Sequence, residues 1–134
     1  MKIVINGAKN SILPILCICC IQPLVYTINN VTFYNDVLEM IDYLKELNIK
    51  TIINGNILYL DSSNIIVPTI IKKKSNIRAI YYFYSVLSKY KKRIEFPYPS
   101  GCNIGDRKID MHINFFNKFN ILVKKHHNSI IIDS

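Results

Sequence analysis

The stretch IDYLKELNIKTIINGNILYLDS at positions 41–62 and the stretch INFFNKFNILVKKHHNSIIIDS at positions 113–134 decide the reading of this chain. They are offset by 72 residues, as from Ile41 to Ile113. Ile41/Ile113, Asn48/Asn120, Ile49/Ile121, Asn56/Asn128, Asp61/Asp133 and Ser62/Ser134 are identical, and Tyr43/Phe115, Leu44/Phe116 and Leu47/Phe119 match in kind. Matching apolar positions at a fixed offset indicate two copies of one supersecondary unit.

Working outward, each copy reads as strand, helix, strand, helix and a strand pair. In the first, residues 2–5 form a short strand and Asn6-Gly7 a turn. Residues 9–20 are apolar on nearly every side, as in a buried helix. Pro14 falls within that helix, which implies a kink or a later start. Residues 24–28 are an apolar, β-branched strand. Asn35 or Asp36 can cap a helix running to about Leu47, with Val37, Met40, Ile41, Leu44 and Leu47 on one face. Residues 50–53 and 56–60 flank Asn54-Gly55, a hairpin signal. In the second copy, residues 65–70 read as a strand, 76–90 as an aromatic-rich helix, 93–96 as a strand and 110–119 as a helix. Two strands then turn around His126-His127-Asn128. The expected fold class is α/β in the α+β sense: two βαβαββ units, about 1–63 and 64–134, in a single domain.

Composition fits a soluble globular domain. The chain has 134 residues, half of them hydrophobic, and a net charge of +8. Abundant Ile, Asn, Lys and Tyr suggest an AT-rich coding sequence, which inflates the basic count. The charge suits an anionic small molecule, a nucleic acid or a solvated surface. The longest apolar run, 11–28, is interrupted by Pro14, Gln22 and Pro23, so it makes a poor membrane span. Lys9 and Asn10 stand where a signal peptide would be apolar. A cytoplasmic location is expected. Cys17, Cys19 and Cys20 crowd one helix as small hydrophobes. No ligand set has metal spacing, so neither metal nor cofactor is expected. Unpaired thiols fit a reducing compartment.

Three places carry chemistry. Lys9 and Asn10 open the first helix, where a lysine, an amide and free N–H groups suit a phosphate or carboxylate. Cys102 lies between Gly101 and Gly105, ahead of Arg107 and a helix start, which can make a thiol reactive. Arg78 begins a helix against the helix dipole, which suggests an anionic partner. His112 reads as a helix-end or surface residue, and His126 and His127 as a solvated turn. The runs Lys72-Lys73-Lys74 and 89–93 read as solvated faces, without the glycine–aromatic interleaving of an RNA-binding motif.

These residues resemble a known family. Asn6-Gly7-Ala8-Lys9-Asn10, followed by Leu13-Pro14-Ile15-Leu16, is similar to the opening of UDP-N-acetylglucosamine enolpyruvyl transferases, relatives of the shikimate-pathway enolpyruvyl transferase. The segment Gly101-Cys102-Asn103-Ile104-Gly105-Asp106-Arg107-Lys108-Ile109-Asp110-Met111-His112 resembles their cysteine loop, and Asn76-Ile77-Arg78-Ala79 their M-R-A-S segment. The resemblance covers essentially the whole chain. It implies transfer of the enolpyruvyl group of phosphoenolpyruvate to the 3′-hydroxyl of UDP-N-acetylglucosamine, a step of peptidoglycan precursor synthesis. It implies Cys102 as general acid, Lys9 and Asn10 as phosphoenolpyruvate ligands, Arg78 as a contact to the sugar nucleotide, and Arg107 as a phosphate clamp. Arg107, Lys108, Ile109, Asp110 and Met111 would line the UDP-sugar site. Lys108 replaces the family's proline, and Asp106 sits beside Arg107. Family members have two lobes of three such units, with the site between lobes. The resemblance therefore implies a truncated part of one lobe, with the sugar-deprotonating aspartate and the remaining arginines outside it. A second chain supplying that lobe is an expected partner; a membrane or nucleic acid is not. A non-catalytic module binding an anion, nucleotide or nucleic acid is the alternative.

Overall fold

A computed structural model describes residues 7–74, 76–90, 93–98, 110–127 and 129–134. The chain separates into two compact units, Met1–Ile66 and Val67–Ser134.

In the first unit the elements are α1 (Lys9–Ile18), β1 (Val25–Ile28), α2 (Asn35–Glu46), β2 (Lys50–Asn54) and β3 (Ile57–Asp61). The strands form an antiparallel sheet in the order β1-β3-β2. Alternation along β3 aims Leu58 and Leu60 into the core and leaves Tyr59 half-exposed. Opposite them pack α1 through Leu16 and Cys17 and α2 through Val37, Met40, Ile41 and Leu44, all buried. Pro14 does not break α1, which runs through it to Ile18. It only removes the N–H that would bond the Asn10 carbonyl. Tyr34, not Asn35 or Asp36, occupies the N-cap position of α2 and makes no side-chain cap. Asp36 lies in the first turn, where its charge complements the helix dipole.

The second unit contains a 3-10 turn (Arg78–Tyr81), α3 (Tyr82–Ser88), β4 (Arg93–Pro97), α4 (Asp110–Lys118), β5 (Leu122–His126) and β6 (Ser129–Asp133). Its sheet has the equivalent order, β4-β6-β5. The strand expected over 65–70 is reduced to one parallel bridge, Ile70 to Glu95. Hydrogen bonds from Glu95 N–H to the Thr69 carbonyl and from Ile71 N–H to the Glu95 carbonyl extend it. The helix expected over 76–90 begins instead as the 3-10 turn at Arg78 and ends at Ser88.

Asn48 and Asn120, identical in the repeat, end their helices in the same way. α2 ends in a left-handed Asn48, φ 60°, and α4 in a left-handed Asn120, also φ 60°. Asn48 N–H bonds the Lys45 carbonyl and Ile49 N–H the Leu44 carbonyl, at 3.0 and 3.1 Å. Asn120 N–H bonds the Asn117 carbonyl and Ile121 N–H the Phe116 carbonyl, at 3.2 and 3.1 Å. This paired closure absorbs the last helical carbonyls and turns the chain into the next strand. Asparagine tolerates the left-handed region better than other residues with a Cβ. In the hairpins, the equivalents Gly55 and His127 both have positive φ, 58° and 49°.

Ser62 and Ser134 anchor the ends of their sheets. The buried Ser62 hydroxyl donates to the Cys19 carbonyl at 2.9 Å and accepts from Leu24 N–H at 3.1 Å. The Ser134 hydroxyl reaches the Ser88 carbonyl at 3.2 Å in an exposed setting.

The two units also differ in length at one place. Sheet register matches Val25 with Asp61 and Arg93 with Asp133, spans of 36 and 40 residues. The strand pair and preceding helix end keep the offset of 72, from Asn48 to Asn120. The second unit's four additional residues therefore fall between β4 and α4, the interval holding Gly101-Cys102.

Ser62→Ala strands the buried Cys19 carbonyl and the partly buried Leu24 N–H, and is expected to cost about 1–3 kcal/mol. Ser134→Ala, in water, should cost under about 0.5 kcal/mol. Urea denaturation of both variants checks the contrast.

Candidate functional site

Gly7 and Ala8 lead the chain onto α1. A Cβ at Gly7 would collide with the Asn30 carbonyl oxygen, so only glycine permits this approach. Asn30 is itself left-handed, φ 59°. Ala8 holds the N-cap position without a side-chain cap. The first amides of a helix have no intrahelical acceptor, so Lys9 and Asn10 open α1 beside donors pointing outward. Ser11 and Ile12 N–H turn inward to the Ala8 carbonyl, at 3.1 and 3.2 Å. An open cleft of about 180 Å³ flanks this turn, lined by Gly7, Ala8, Ser11, Ile12, Asn30 and Val31 among others.

Lys9 has a partner that its sequence neighbourhood does not announce. Its Nζ lies 3.0 Å from Asp36 Oδ2, with the two side chains 42% and 36% exposed. An ion pair so open to water contributes at most about 1 kcal/mol. It holds the ammonium beside the helix start, yet leaves it available to a stronger anion. Asp36 read as a cap because it sits at the edge of a periodic pattern. Its real role depends on the folding that brings α2's first turn to α1's.

The second unit also carries a cation at the start of its first helical segment. Arg78 is the first residue of the 3-10 turn and is half-buried. Three residues on, the Tyr81 ring lies 4.3 Å from the His112 ring, centroid to centroid. Burial pushes the Tyr81 hydroxyl up to about 12, aided by hydrogen bonding with Tyr82 and by Tyr82's charge, while Arg78 opposes the shift. The tyrosine stays neutral and acts as an aromatic spacer. It joins the Arg78 turn to the first turn of α4, which carries Asp110, Met111 and His112. Asp110 and Met111 are exposed, Met111 by 80%. His112 Nδ1 is buried without a hydrogen-bond partner among the described residues. No motif or spacing in the sequence signals the Tyr81–His112 contact.

In the first unit Lys9 and Asn10 open α1 side by side, and in the second the Tyr81–His112 contact joins the turn that Arg78 begins to the helix that Asp110 and Met111 begin. Cys102, Arg107, Lys108 and Ile109 lie outside the described residues. Among the described residues no cluster of His, Cys, Asp and Glu is arranged to hold a metal, and no helix is long and apolar enough to cross a membrane.

The remaining three cysteines are core. Cys17, Cys19 and Cys20 are at most 3% exposed. Burial, then repulsion from Cys20 and Cys19, pushes the Cys17 thiol well up. Burial pushes Cys19 to about 11 and Cys20 to about 12. They remain thiols at neutral pH and are poor nucleophiles.

No family model matches the chain. The fold has a solved counterpart: the enolpyruvyl transferase NikO from Streptomyces tendae superposes on 96% of this chain with a TM-score of 0.77 and 11% identity, the match covering 28% of NikO. The architecture is therefore that of an enolpyruvyl transferase repeat pair. Among curated proteins, UDP-N-acetylglucosamine 1-carboxyvinyltransferase of Prochlorococcus marinus (strain MIT 9301) is 35% identical over 111 residues, 82% of this chain and 24% of the relative. The same enzyme of Buchnera aphidicola subsp. Baizongia pistaciae is 32% identical over 138 aligned positions, 99% of this chain and 32% of the relative. The chain belongs to the UDP-N-acetylglucosamine 1-carboxyvinyltransferase family, a family of transferases, and spans about a quarter to a third of the length of these relatives.

Two outcomes test the local analysis. Gly7→Ala should destabilise the first unit by about 2 kcal/mol or more, since main chain must move, with a lowered melting temperature as the readout. The raised thiols give a pH dependence. The unfolded chain's cysteines ionise near 9, while the folded ones resist until about 11 to 12. Their stabilising contribution is complete below pH 9 and is lost as pH rises through that window. Urea midpoints should fall between pH 9 and 11, and a Cys19→Ala/Cys20→Ala variant should flatten the decline.

Proposed function

We propose that this chain supplies part of the active site of a cytoplasmic enolpyruvyl transfer from phosphoenolpyruvate to the 3′-hydroxyl of UDP-N-acetylglucosamine, a step in building peptidoglycan precursors. The observation carrying this reading is the retention, in order and across nearly the whole chain, of Lys9-Asn10, Arg78 and the Cys102–Met111 segment. The identity to 1-carboxyvinyltransferases extends over 82–99% of this chain.

The chemistry follows from these groups. Phosphoenolpyruvate carries a carboxylate and a phosphate on one enol carbon. The amides at the start of α1, with Lys9 and Asn10, suit one of these anions. Cys102 delivers a proton to the methylene carbon C3, which leaves C2 electrophilic. The sugar 3′-hydroxyl adds to C2 as it gives up its own proton, forming a tetrahedral adduct. Loss of a proton from C3 with departure of phosphate then yields the enol ether. Arg107 clamps the phosphate as its charge grows. Arg78, with Lys108, Ile109, Asp110 and Met111, lines the sugar-nucleotide side. The base for the 3′-hydroxyl and the remaining phosphate ligands belong to the part of the relatives that the match does not cover. This reading needs no metal or cofactor.

The test uses the chain mixed with the portion of the Buchnera relative lying outside the match. Phosphate release from phosphoenolpyruvate plus UDP-N-acetylglucosamine should appear in the mixture, and Lys9→Ala should reduce it by at least about a hundredfold. Fosfomycin, an epoxide that alkylates the family's cysteine, should add one adduct in intact-mass spectra, absent in Cys102→Ser. A mixture that forms a complex yet shows neither turnover nor adduct overturns the proposal.

A further inference from the structure

The charge of the chain is not shared between its two repeats. Of the 17 lysines and arginines, 13 lie in the second unit with 4 of the 9 acidic residues, so the first unit carries a net charge of −1 and the second +9. An AT-rich coding bias acts on both halves alike and does not produce this difference. Of those 13 cations the transferase reading uses Arg78, Arg107 and Lys108 alone. The contrast is sharpest at the equivalent hairpins. The offset of 72 sets Lys124, Lys125, His126 and His127 against Ile52, Ile53, Asn54 and Gly55. Both hairpins keep the same pairing, Ile53 with Leu58 and Lys125 with Ile130, so the scaffold does not call for the charges. His127 takes, at φ 49°, a left-handed conformation that Gly55 adopts freely.

Sheet register gathers further groups at this hairpin. Pro97 pairs with Ser129 and Ser129 with His126, which places Tyr98, the next residue, beside it. Lys125 Nζ stands 4.5 Å from the centroid of the Tyr98 ring. The His126 and His127 rings meet edge-on at 4.6 Å, and both are exposed, as are Lys124 and Lys125. On the other side of β4, the run Lys72-Lys73-Lys74 begins two residues after the parallel bridge from Ile70 to Glu95. Along the chain these lysines stand apart from the tyrosine and the imidazoles. The sheet brings cations and rings together.

We propose that the hairpin end of the second unit binds single-stranded nucleic acid. Lys124, Lys125 and the run at 72–74 neutralise backbone phosphates. Tyr98, His126 and His127 offer ring faces on which unpaired bases stack. An acidic polypeptide would use the cations and leave three rings idle, and a duplex keeps its base faces covered. Stacking tolerates any base, so binding is sequence-independent. The inference goes beyond the transferase reading and uses none of its residues.

The test is fluorescence anisotropy of a labelled, mixed-sequence single strand of about 20 nucleotides, titrated with the full chain at low salt. It needs neither substrate nor any other part of the transferase. Saturable binding is expected, weakening steeply as salt rises. Lys124→Gln/Lys125→Gln should lower affinity on the order of tenfold and reduce the slope of log affinity against log salt by about 1.4, at ~0.7 per phosphate contact. Tyr98→Leu should lower single-strand affinity at least about fivefold and leave the salt slope and duplex binding unchanged. Lys45→Gln/Lys50→Gln removes the same charge from the first unit and should change affinity little. Circular dichroism should show every variant folded like the parent, since the replaced side chains are exposed or half-exposed. Absence of binding at low salt overturns the proposal. So does equal weakening by the first-unit pair, which would reduce the effect to net charge. Polyglutamate bound as tightly as the oligonucleotide, with Tyr98→Leu without effect, also overturns it and gives the patch to an acidic protein.

Discussion

Each unit depends on how its second helix stops. A helix that ran one turn further past Leu47 or Phe119 would carry the following strand away from the sheet. The left-handed asparagine, with its paired main-chain hydrogen bonds, reverses the chain within two residues and delivers β2 or β5 to its partner. Strand register then sets which side chains face inward. A slip of one residue along β3 or β6 would expose Leu58 and Leu60, or Ile130 and Ile132. The two asparagines therefore lie upstream of nearly every packing contact in their units.

Upon that scaffold the two units diverge at the starts of their helices. The first keeps a tight corner, in which Gly7 admits the Asn30 carbonyl and Asp36 steadies Lys9 at the start of α1. The second begins a 3-10 turn at Arg78, and Tyr81 of that turn meets His112 of α4's first turn. Its four additional residues lie between strand and helix, where the glycine–cysteine stretch resides. The framework repeats, and the two units differ at their helix starts and in the number of residues between β4 and α4. Helix starts offer unpaired donors, and loops change length without disturbing a hydrophobic core.

Much of the fold was legible before any coordinates. The periodicity of 37–47, the turn at Asn54-Gly55 and the equivalence at an offset of 72 all survive in the structure. What shifted did so for local reasons. Residues 65–70 have strand composition but make a single bridge, because backbone pairing with Glu95 begins only at Thr69. The helix through 76–90 starts as a tighter 3-10 turn, a common way to begin a helix. The cysteine cluster read correctly as core, since three thiols within four positions at the end of an apolar helix are buried. Of the candidate site, the residue types at Lys9, Asn10 and Arg78 were visible, but the groups that hold them were not. Asp36 is 27 positions from Lys9, and Tyr81 meets His112 although the two are far apart along the chain.

The sequence by itself determined the repeat, the order of its elements, the buried faces and the kinship with enolpyruvyl transferases. These are properties of local periodicity and of short motifs, which depend on near neighbours along the chain. Only the tertiary structure decided that Lys9 pairs with Asp36, that Gly7 must be glycine because a carbonyl crosses it, and that Phe119 stands open where Leu47 is covered. Such facts arise from residues distant in sequence meeting in space, and burial is set by what arrives from elsewhere in the chain, not by the residue that is buried.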